Sequence, residues 1–211
     1  MINFLIVLFG VTMLYVAATS RIEAYIRMLA VQGLLLFLLV AADWRHFEIF
    51  NLLFLVVETL GFKTVVIPWF LLRVVRRNGI YRELEPYIPN FFSVVIASLL
   101  FALGFVLAYW SLDFARDIKP LYFGVSVSTM LTGLLVITTR KMLVTHVIGF
   151  MMLENGIFLL ALSMAREMPL LVNLGVLLDI FMGIFLLGLF VTKIKSTFDE
   201  SHIDALTDLR D

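Results

Sequence analysis

Apolar residues occur in long unbroken runs along the chain, and polar residues collect in the short segments between those runs. A helix needs about 20 apolar residues to cross the roughly 30 Å hydrocarbon core of a bilayer, and the runs have this length. We predict seven spanning helices, over residues 2–19, 24–42, 49–72, 91–110, 120–138, 142–164 and 170–192. The expected fold is therefore an all-α integral membrane protein.

The predicted helices divide one membrane domain, residues 1–211, into three parts. Four helices form an N-terminal part, residues 1–110, and three helices form a second part, residues 120–192. Residues 193–211 form a polar tail. The first run begins almost at Met1 without a basic segment before it, which favours a retained helix over a cleaved signal peptide.

Basic residues are distributed unequally between the two sets of links. Four lie in the second, fourth and sixth links: Arg45, Arg116, Lys119 and Arg166. Eleven lie in the first, third and fifth links and the tail: Arg21, Arg27, Arg73, Arg76, Arg77, Arg82, Arg140, Lys141, Lys193, Lys195 and Arg210. Because cytoplasmic loops carry the excess of Lys and Arg, we predict an outside N-terminus and a cytoplasmic C-terminus. The highly charged third link is either a positive-inside anchor or a surface for anionic lipid or a soluble subunit.

Composition supports the membrane assignment and limits the chemistry. Hydrophobic residues make up 62% of the chain and charged residues 15%, against about 45–50% and 25% in soluble domains. Sixteen basic and sixteen acidic residues cancel, so the basic excess of a nucleic-acid-binding protein is missing. The chain has no cysteine, which excludes disulfides, thiolate zinc sites and Cys-ligated iron–sulfur clusters. We expect no cofactor and no metal in this chain.

Four ionisable side chains lie well inside the predicted helices: Glu58, Lys63, Glu154 and Asp179. Each charge costs at least about 2.5–3.5 kcal/mol at the centre of a bilayer. Such groups require a partner, a hydrated cavity or neutralisation by a proton. Since three acids face one base, we expect at least one carboxyl to be protonated at rest, unless a partner subunit supplies a cation.

Asp179 and Glu154 are candidate proton-relay residues. Asp179 is flanked at a spacing of four by Gly175 and Gly183, small residues that let a second helix approach the same face. His146 precedes Glu154 by eight residues, about 12 Å along a helix. A chain from His146 through Glu154 to Asp179 is a plausible proton half-channel. The alternatives are that Asp179 is a buried packing pin and His146 an interfacial histidine.

Glu58 and Lys63 share the third predicted helix and are further candidates. Five residues correspond to about 140° around an α-helix, so the two side chains do not pair ideally with each other. Pro68 cannot donate to the carbonyl of Thr64, and we expect a bend there and a hydrated cavity beside Lys63. The alternative is a structural ion pair of Lys63 with Glu154 or Asp179.

A run of small residues in the fifth predicted helix is expected to be a packing seam. Gly124, Ser128 and Thr132 follow one another at a spacing of four and share one helix face. We predict that this face packs against the sixth or seventh helix.

The last three predicted helices resemble the K subunit of respiratory complex I and the C subunit of Mrp-type cation/proton antiporters. The resemblance is carried by Arg140-Lys141, Met151-Met152-Leu153, Asn155 and Asp179-x-x-x-Gly183. It implies that Asp179 occupies the position of one of two glutamates implicated in proton translocation. Phe150 or Met151 stands where the other is expected, and Glu154 lies about one turn away.

The whole chain resembles hydrogenase-4 component E, a longer K-like membrane subunit. The motifs are Leu153-Glu154-Asn155-Gly156 and Thr64-x-x-Ile67-Pro68. The resemblance implies a non-catalytic subunit without its own redox centre, located in a prokaryotic cytoplasmic membrane. Its partners would be large antiporter-like membrane subunits and peripheral redox subunits of a nickel–iron hydrogenase-like or complex I-like assembly. Glu154, Asp179, Lys63, Glu58 and His146 would then serve proton, or sodium, translocation.

Two other functions remain open from the sequence. A stand-alone cation/proton secondary transporter would be built from repeats, and the chain shows a faint echo between Arg27-Met28-Leu29 and Lys141-Met142-Leu143. A structural scaffold would use all four buried charges as ion pairs and packing pins.

Overall fold

A computed structural model describes residues 2–42, 53, 55–77, 79, 81–83, 86–111 and 119–164. These residues form helices joined by short links, and among them the only strand-like pairing is an isolated bridge between Arg21 and Arg82. The elements are α1 (Ile2–Ala18), α2 (Ile22–Ala42), a π-helix (Val57–Val66), α3 (Ile67–Arg77), α4 (Asn90–Ser111), α5 (Pro120–Thr139) and α6 (Leu143–Met164).

Four of the described helices are long and apolar enough to cross a bilayer: α2, α4, α5 and the Leu143–Ser163 stretch of α6. They fall on the predicted runs 24–42, 91–110, 120–138 and 142–164. Helix α1 is also apolar, and its 17 residues place it at the short end of the range for a helix that spans a bilayer. The predicted helix 170–192, with Asp179, lies outside the described residues.

The third predicted run has a different form from the expected α-helix. Residues Val57–Val66 are in π-helical conformation, and the chain continues as α-helix from Ile67. The π-helical bonding joins residues five apart: the Ile67 N–H donates to Phe62 O. The change of helix type at Ile67 lies next to Pro68, the residue at which the sequence predicted a bend. Pro68 has no N–H and therefore donates no backbone hydrogen bond there.

Helices α5 and α6 form the most extensive pairing among the described elements, and glycines bring their backbones together. A Cβ atom added at Gly133 would lie 2.7 Å from both Gly149 O and Leu153 N. A Cβ at Gly156 would lie 2.9 Å from Met130 N on the opposite helix. Small residues at these positions permit the close approach by which membrane helices associate.

The predicted seam at Gly124 and Ser128 faces a different helix from the one expected. A Cβ at Gly124 would lie 3.1 Å from the ring of Phe105 in α4. Ser128 Oγ donates to Gly124 O at 2.6 Å and lies 3.3 Å from Phe101 O. Among the described helices these two residues contact α4 and not the sixth predicted helix, because Phe101 and Phe105 lie against this face of α5. The seventh predicted helix lies outside the described residues.

The third link folds back onto the ends of the helices. The backbone N–H of Glu83 donates to Ser20 O at 2.9 Å, and that of Ile22 donates to Tyr81 O at 3.3 Å. The buried Glu83 side chain accepts hydrogen bonds from the backbone N–H groups of Lys141, at 2.9 Å, and Met142, at 3.3 Å. This link is thus joined both to the α1–α2 turn and to the start of α6.

Candidate functional site

Lys63 lies between two carboxylates in the interior of the protein. Its Nζ is 2.9 Å from Glu154 Oε1 and 3.6 Å from Glu58 Oε1. The side chains of Lys63, Glu58 and Glu154 are 1%, 2% and 0% exposed, respectively. A fully buried charge is stable only when it is paired. The structure therefore brings Glu58, Lys63 and Glu154, from two predicted helices, into one cluster.

The sequence indicates Glu154 and Asp179 as alternative ion-pair partners of Lys63, and the structure pairs Lys63 with Glu154. The other, Asp179, lies outside the described residues.

The π-helix explains why Glu58 also reaches Lys63. Its hydrogen bonds join residues five apart, so residue i+5 lies about one turn above residue i. Glu58 and Lys63 have this spacing and consequently share a face. The expected angle of 140° between them does not hold, because it assumed the 100° step of an α-helix, but their pairing is not ideal, as expected. At 3.6 Å the contact is electrostatic and exceeds normal hydrogen-bond length.

The opposite wall of the cluster comes from α6. Phe158 follows Glu154 by four residues, so both lie on one face of the helix. The centre of the Phe158 ring is 5.0 Å from Lys63 Nζ, within cation–π range. Two carboxylates and one ammonium would leave one excess negative charge if all were ionised. An apolar environment disfavours that charge state, so the cluster has the composition of a site that holds one exchangeable proton.

A series of hydrogen-bonded polar side chains begins at Asn155, next to Glu154. Asn155 Nδ2 donates to Gln32 Oε1 at 3.1 Å, and Gln32 Nε2 donates to Thr12 Oγ1 at 3.1 Å. Thr12 Oγ1 in turn donates to Phe9 O at 2.6 Å. All three side chains are buried. Sequence reasoning missed this series, although its signal was present as single amide or hydroxyl residues within apolar runs.

Helix α2 contacts the backbone of the π-helix at the level of Lys63. A Cβ atom added at Gly33 would lie 2.8 Å from Thr64 Oγ1, 2.9 Å from the carbonyl carbon of Lys63 and 3.0 Å from its oxygen. Only glycine fits at such a distance. Gly33 follows Gln32 directly, so adjacent residues of α2 contact the two elements that carry the ion pair.

His146 lies in the first turn of α6, two turns before Glu154. Its Nδ1 is 2.7 Å from Met142 O. Because a carbonyl only accepts, Nδ1 carries the hydrogen of this bond. The side chain is half-buried. The structure therefore does not bring His146 into the Lys63 cluster.

Within the described residues, no group of three or more His, Cys, Asp or Glu side chains is arranged to hold a metal ion.

Comparison with known proteins gives distant relatives. No protein-family model matches the chain, and no solved structure matches it. An uncharacterized protein of Mycobacterium tuberculosis is 28% identical over 156 residues, which cover 74% of this chain and 71% of that protein. Hydrogenase-4 component E of Escherichia coli K12 is 26% identical over 122 residues, or 58% of this chain, and the protein from Shigella flexneri matches equally. The match spans 56% of the component E chains, a little over half their length.

Proposed function

We propose that this chain is a membrane subunit of a hydrogenase-4-like energy-converting complex and that it contributes to a proton path through the membrane. The buried Glu58–Lys63–Glu154 cluster carries the proposal. Similarity to hydrogenase-4 component E supports membership of such a complex. Under this proposal the chain crosses the membrane seven times, with its N-terminus outside, and lies in a prokaryotic cytoplasmic membrane between antiporter-like subunits.

If Glu58 is protonated at the start, the cluster can pass a proton while the summed charge of its three side chains stays at zero. In the proposed step, Lys63 Nζ gives a proton to Glu154 Oε1 across the 2.9 Å contact. The neutral amine then takes a proton from Glu58, whose carboxyl oxygen is 3.6 Å away. One proton has moved from Glu58 to Glu154, and Lys63 is an ammonium again. A low-dielectric environment strengthens the electrostatic interactions among all three groups.

Other parts of the path belong to the same proposal. His146 receives protons at the start of α6, about 12 Å from Glu154 along the helix, so water molecules must bridge that distance. Asp179 accepts the proton beyond Glu154. Moving one charge against 100 mV takes about 2.3 kcal/mol, which redox chemistry in peripheral partner subunits supplies. The chain is then a conduit and not a motor.

The test is Glu154→Gln in the assembled complex, with proton uptake measured in inverted membrane vesicles during redox turnover. The amide keeps the size of the side chain but holds no exchangeable acid proton. We expect the protons moved per electron to fall by about tenfold or more with the complex intact on a native gel. Asp179→Asn is expected to behave in the same way. Glu23→Gln, at an exposed ion pair with Arg27 and Arg76, is the control and should pump normally.

Normal pumping by Glu154→Gln would reject the relay role. A purely structural role would be indicated if Lys63→Met/Glu154→Gln preserved both assembly and coupled pumping, because that double variant keeps the volume and removes both charges. Cation/proton exchange by the purified chain in liposomes would instead indicate a stand-alone transporter.

A further inference from the structure

We infer that Gln32 and Gly33 of α2 are positioning residues that together set the separation of Lys63 and Glu154. Gly33 has no side chain, and the side chain of Gln32 bonds to Thr12 and Asn155. Gly33 fixes the backbone that carries Lys63, and Gln32 fixes the backbone that carries Glu154. The effect of these residues on proton transfer rests on the proposed function, whereas their effect on the ion pair does not.

Gly33 sets the position of the π-helix relative to α2. A single added carbon at this position would meet the Lys63 carbonyl at 2.9–3.0 Å and Thr64 Oγ1 at 2.8 Å. Two of these atoms are backbone atoms, which cannot rotate away. The π-helix would have to withdraw from α2 and take the base of the Lys63 side chain with it.

Gln32 sets the position of α6 relative to α2. Gln32 Oε1 accepts from Asn155 Nδ2 at 3.1 Å, and Asn155 is the residue next to Glu154. The other end of the amide is held, since Gln32 Nε2 donates to Thr12 Oγ1 at 3.1 Å. Thr12 is itself bonded to the backbone of α1 at Phe9. A buried amide with both ends bonded has one favoured position, so α6 is held at a fixed height and rotation against α2.

The separation matters because the pair is buried. At 2.9 Å the ammonium compensates the Glu154 carboxylate directly. If the two drew apart with no water to replace the contact, the carboxylate would take up a proton, because an unpaired charge in an apolar interior is the more costly state. The protonated fraction of Glu154 is therefore a readout of the separation.

The first experiment compares two glycine substitutions in the full-length chain in lipid nanodiscs. Gly33→Ala is predicted to displace the π-helix. Gly61→Ala is the matched control, since the nearest atom to its added carbon is Val57 Cγ1 at an ordinary 3.9 Å. Infrared difference spectroscopy measures the protonated carboxyl band, which is assigned to Glu154 by its loss in Glu154→Gln. We expect about a two-fold or larger rise of that band in Gly33→Ala and no change in Gly61→Ala.

The second experiment keeps the amide groups at positions 32 and 155 and changes the lengths of their side chains. Gln32→Asn shortens one amide by a methylene, and Asn155→Gln lengthens the other by the same amount. Each single variant should raise the Glu154 band, and the double variant Gln32→Asn/Asn155→Gln should raise it less than Gln32→Asn alone. The summed length of the two side chains is then the same as in the wild type, while the contact with Thr12 stays lost. Such non-additivity is the signature of residues that act through one contact.

An unchanged Glu154 band in Gly33→Ala and Gln32→Asn, with both proteins folded, would overturn the inference. So would equal effects of Gly33→Ala and Gly61→Ala, or a Glu154 band in the double variant as high as in Gln32→Asn. If the band responds as expected but Glu154→Gln pumps normally in the complex, the positioning role stands and the proposed function fails.

Discussion

Lys63 of the π-helix and Glu154 of α6 form a 2.9 Å ion pair in which neither side chain is more than 1% exposed. Residues from two distant parts of the chain thus meet in the interior of the protein. Removing one partner of a buried pair is far more damaging than removing both, because the remaining charge has no compensation.

We therefore expect Lys63→Met to lower the free energy of unfolding by about 3–5 kcal/mol, since it leaves the Glu58 and Glu154 carboxyls without their ammonium. The measurement is denaturant unfolding in detergent micelles. Lys63→Met/Glu58→Gln/Glu154→Gln should recover most of the loss. A triple variant no more stable than Lys63→Met would contradict this account.

Gly133→Ala should weaken the contact between α5 and α6. The added carbon would lie 2.7 Å from the backbone atoms Gly149 O and Leu153 N, so the helices must separate. Overpacking of this kind costs about 1–3 kcal/mol, visible as a lower thermal unfolding midpoint. Gly61→Ala, which has room for the carbon, serves as the reference, and an equal midpoint for the two variants would refute the prediction.

Glu83→Gln should loosen the start of α6. The carboxylate accepts from the N–H groups of Lys141 and Met142, and a negative charge at a helix N-terminus contributes roughly 0.3–1 kcal/mol, or more when partly buried. Amide hydrogen exchange at residues 141 and 142 should become faster. Glu23→Gln removes an exposed charge and should leave that exchange unchanged. Unchanged exchange in Glu83→Gln, or equally faster exchange in both variants, would be inconsistent with the capping role.

Arg140→Lys should destabilise the protein although it keeps the positive charge. The guanidinium donates from Nη1 to Asn90 Oδ1 at 2.8 Å and from Nη2 to Ala17 O at 3.5 Å. An ammonium cannot reproduce a planar fork that reaches two helices. The expected loss is about 1.5–3 kcal/mol, the range for a hydrogen bond to a charged group. Thermal unfolding of Arg140→Lys beside Arg27→Lys, an exposed control, would measure it.

The sequence predicts α4 and α5 well because each depends only on the apolar run that forms it, whereas the third predicted run, 49–72, ends five residues before Arg77, the end of α3. Residues 91–110 and 120–138 are apolar over the length that a bilayer requires, and α4 and α5 begin and end within one residue of them. The buried charges of Glu58, Lys63 and Glu154 are predictable for the same reason, since their neighbours in the chain are apolar.

The pairing of those charges depends on backbone conformation and on packing between helices, which the apolar runs of the sequence do not specify. Glu58 reaches Lys63 only because the backbone is π-helical there, and helical periodicity gives no warning of that change. Gln32 and Asn155 meet because α2 packs against α6. The face that Gly124 presents is set by the ring of Phe105. In each case the deciding partner is remote in sequence.

The position of Glu83 has a consequence for the order of assembly during synthesis. Its carboxylate is buried against the amide groups of Lys141 and Met142, residues that leave the ribosome long after it. Chains are made from the N-terminus at about 5–20 residues per second, so for several seconds the first four helices exist while this acid has no amides to accept. The contacts of Glu83 with the start of α6 therefore form only after α5 has been synthesised.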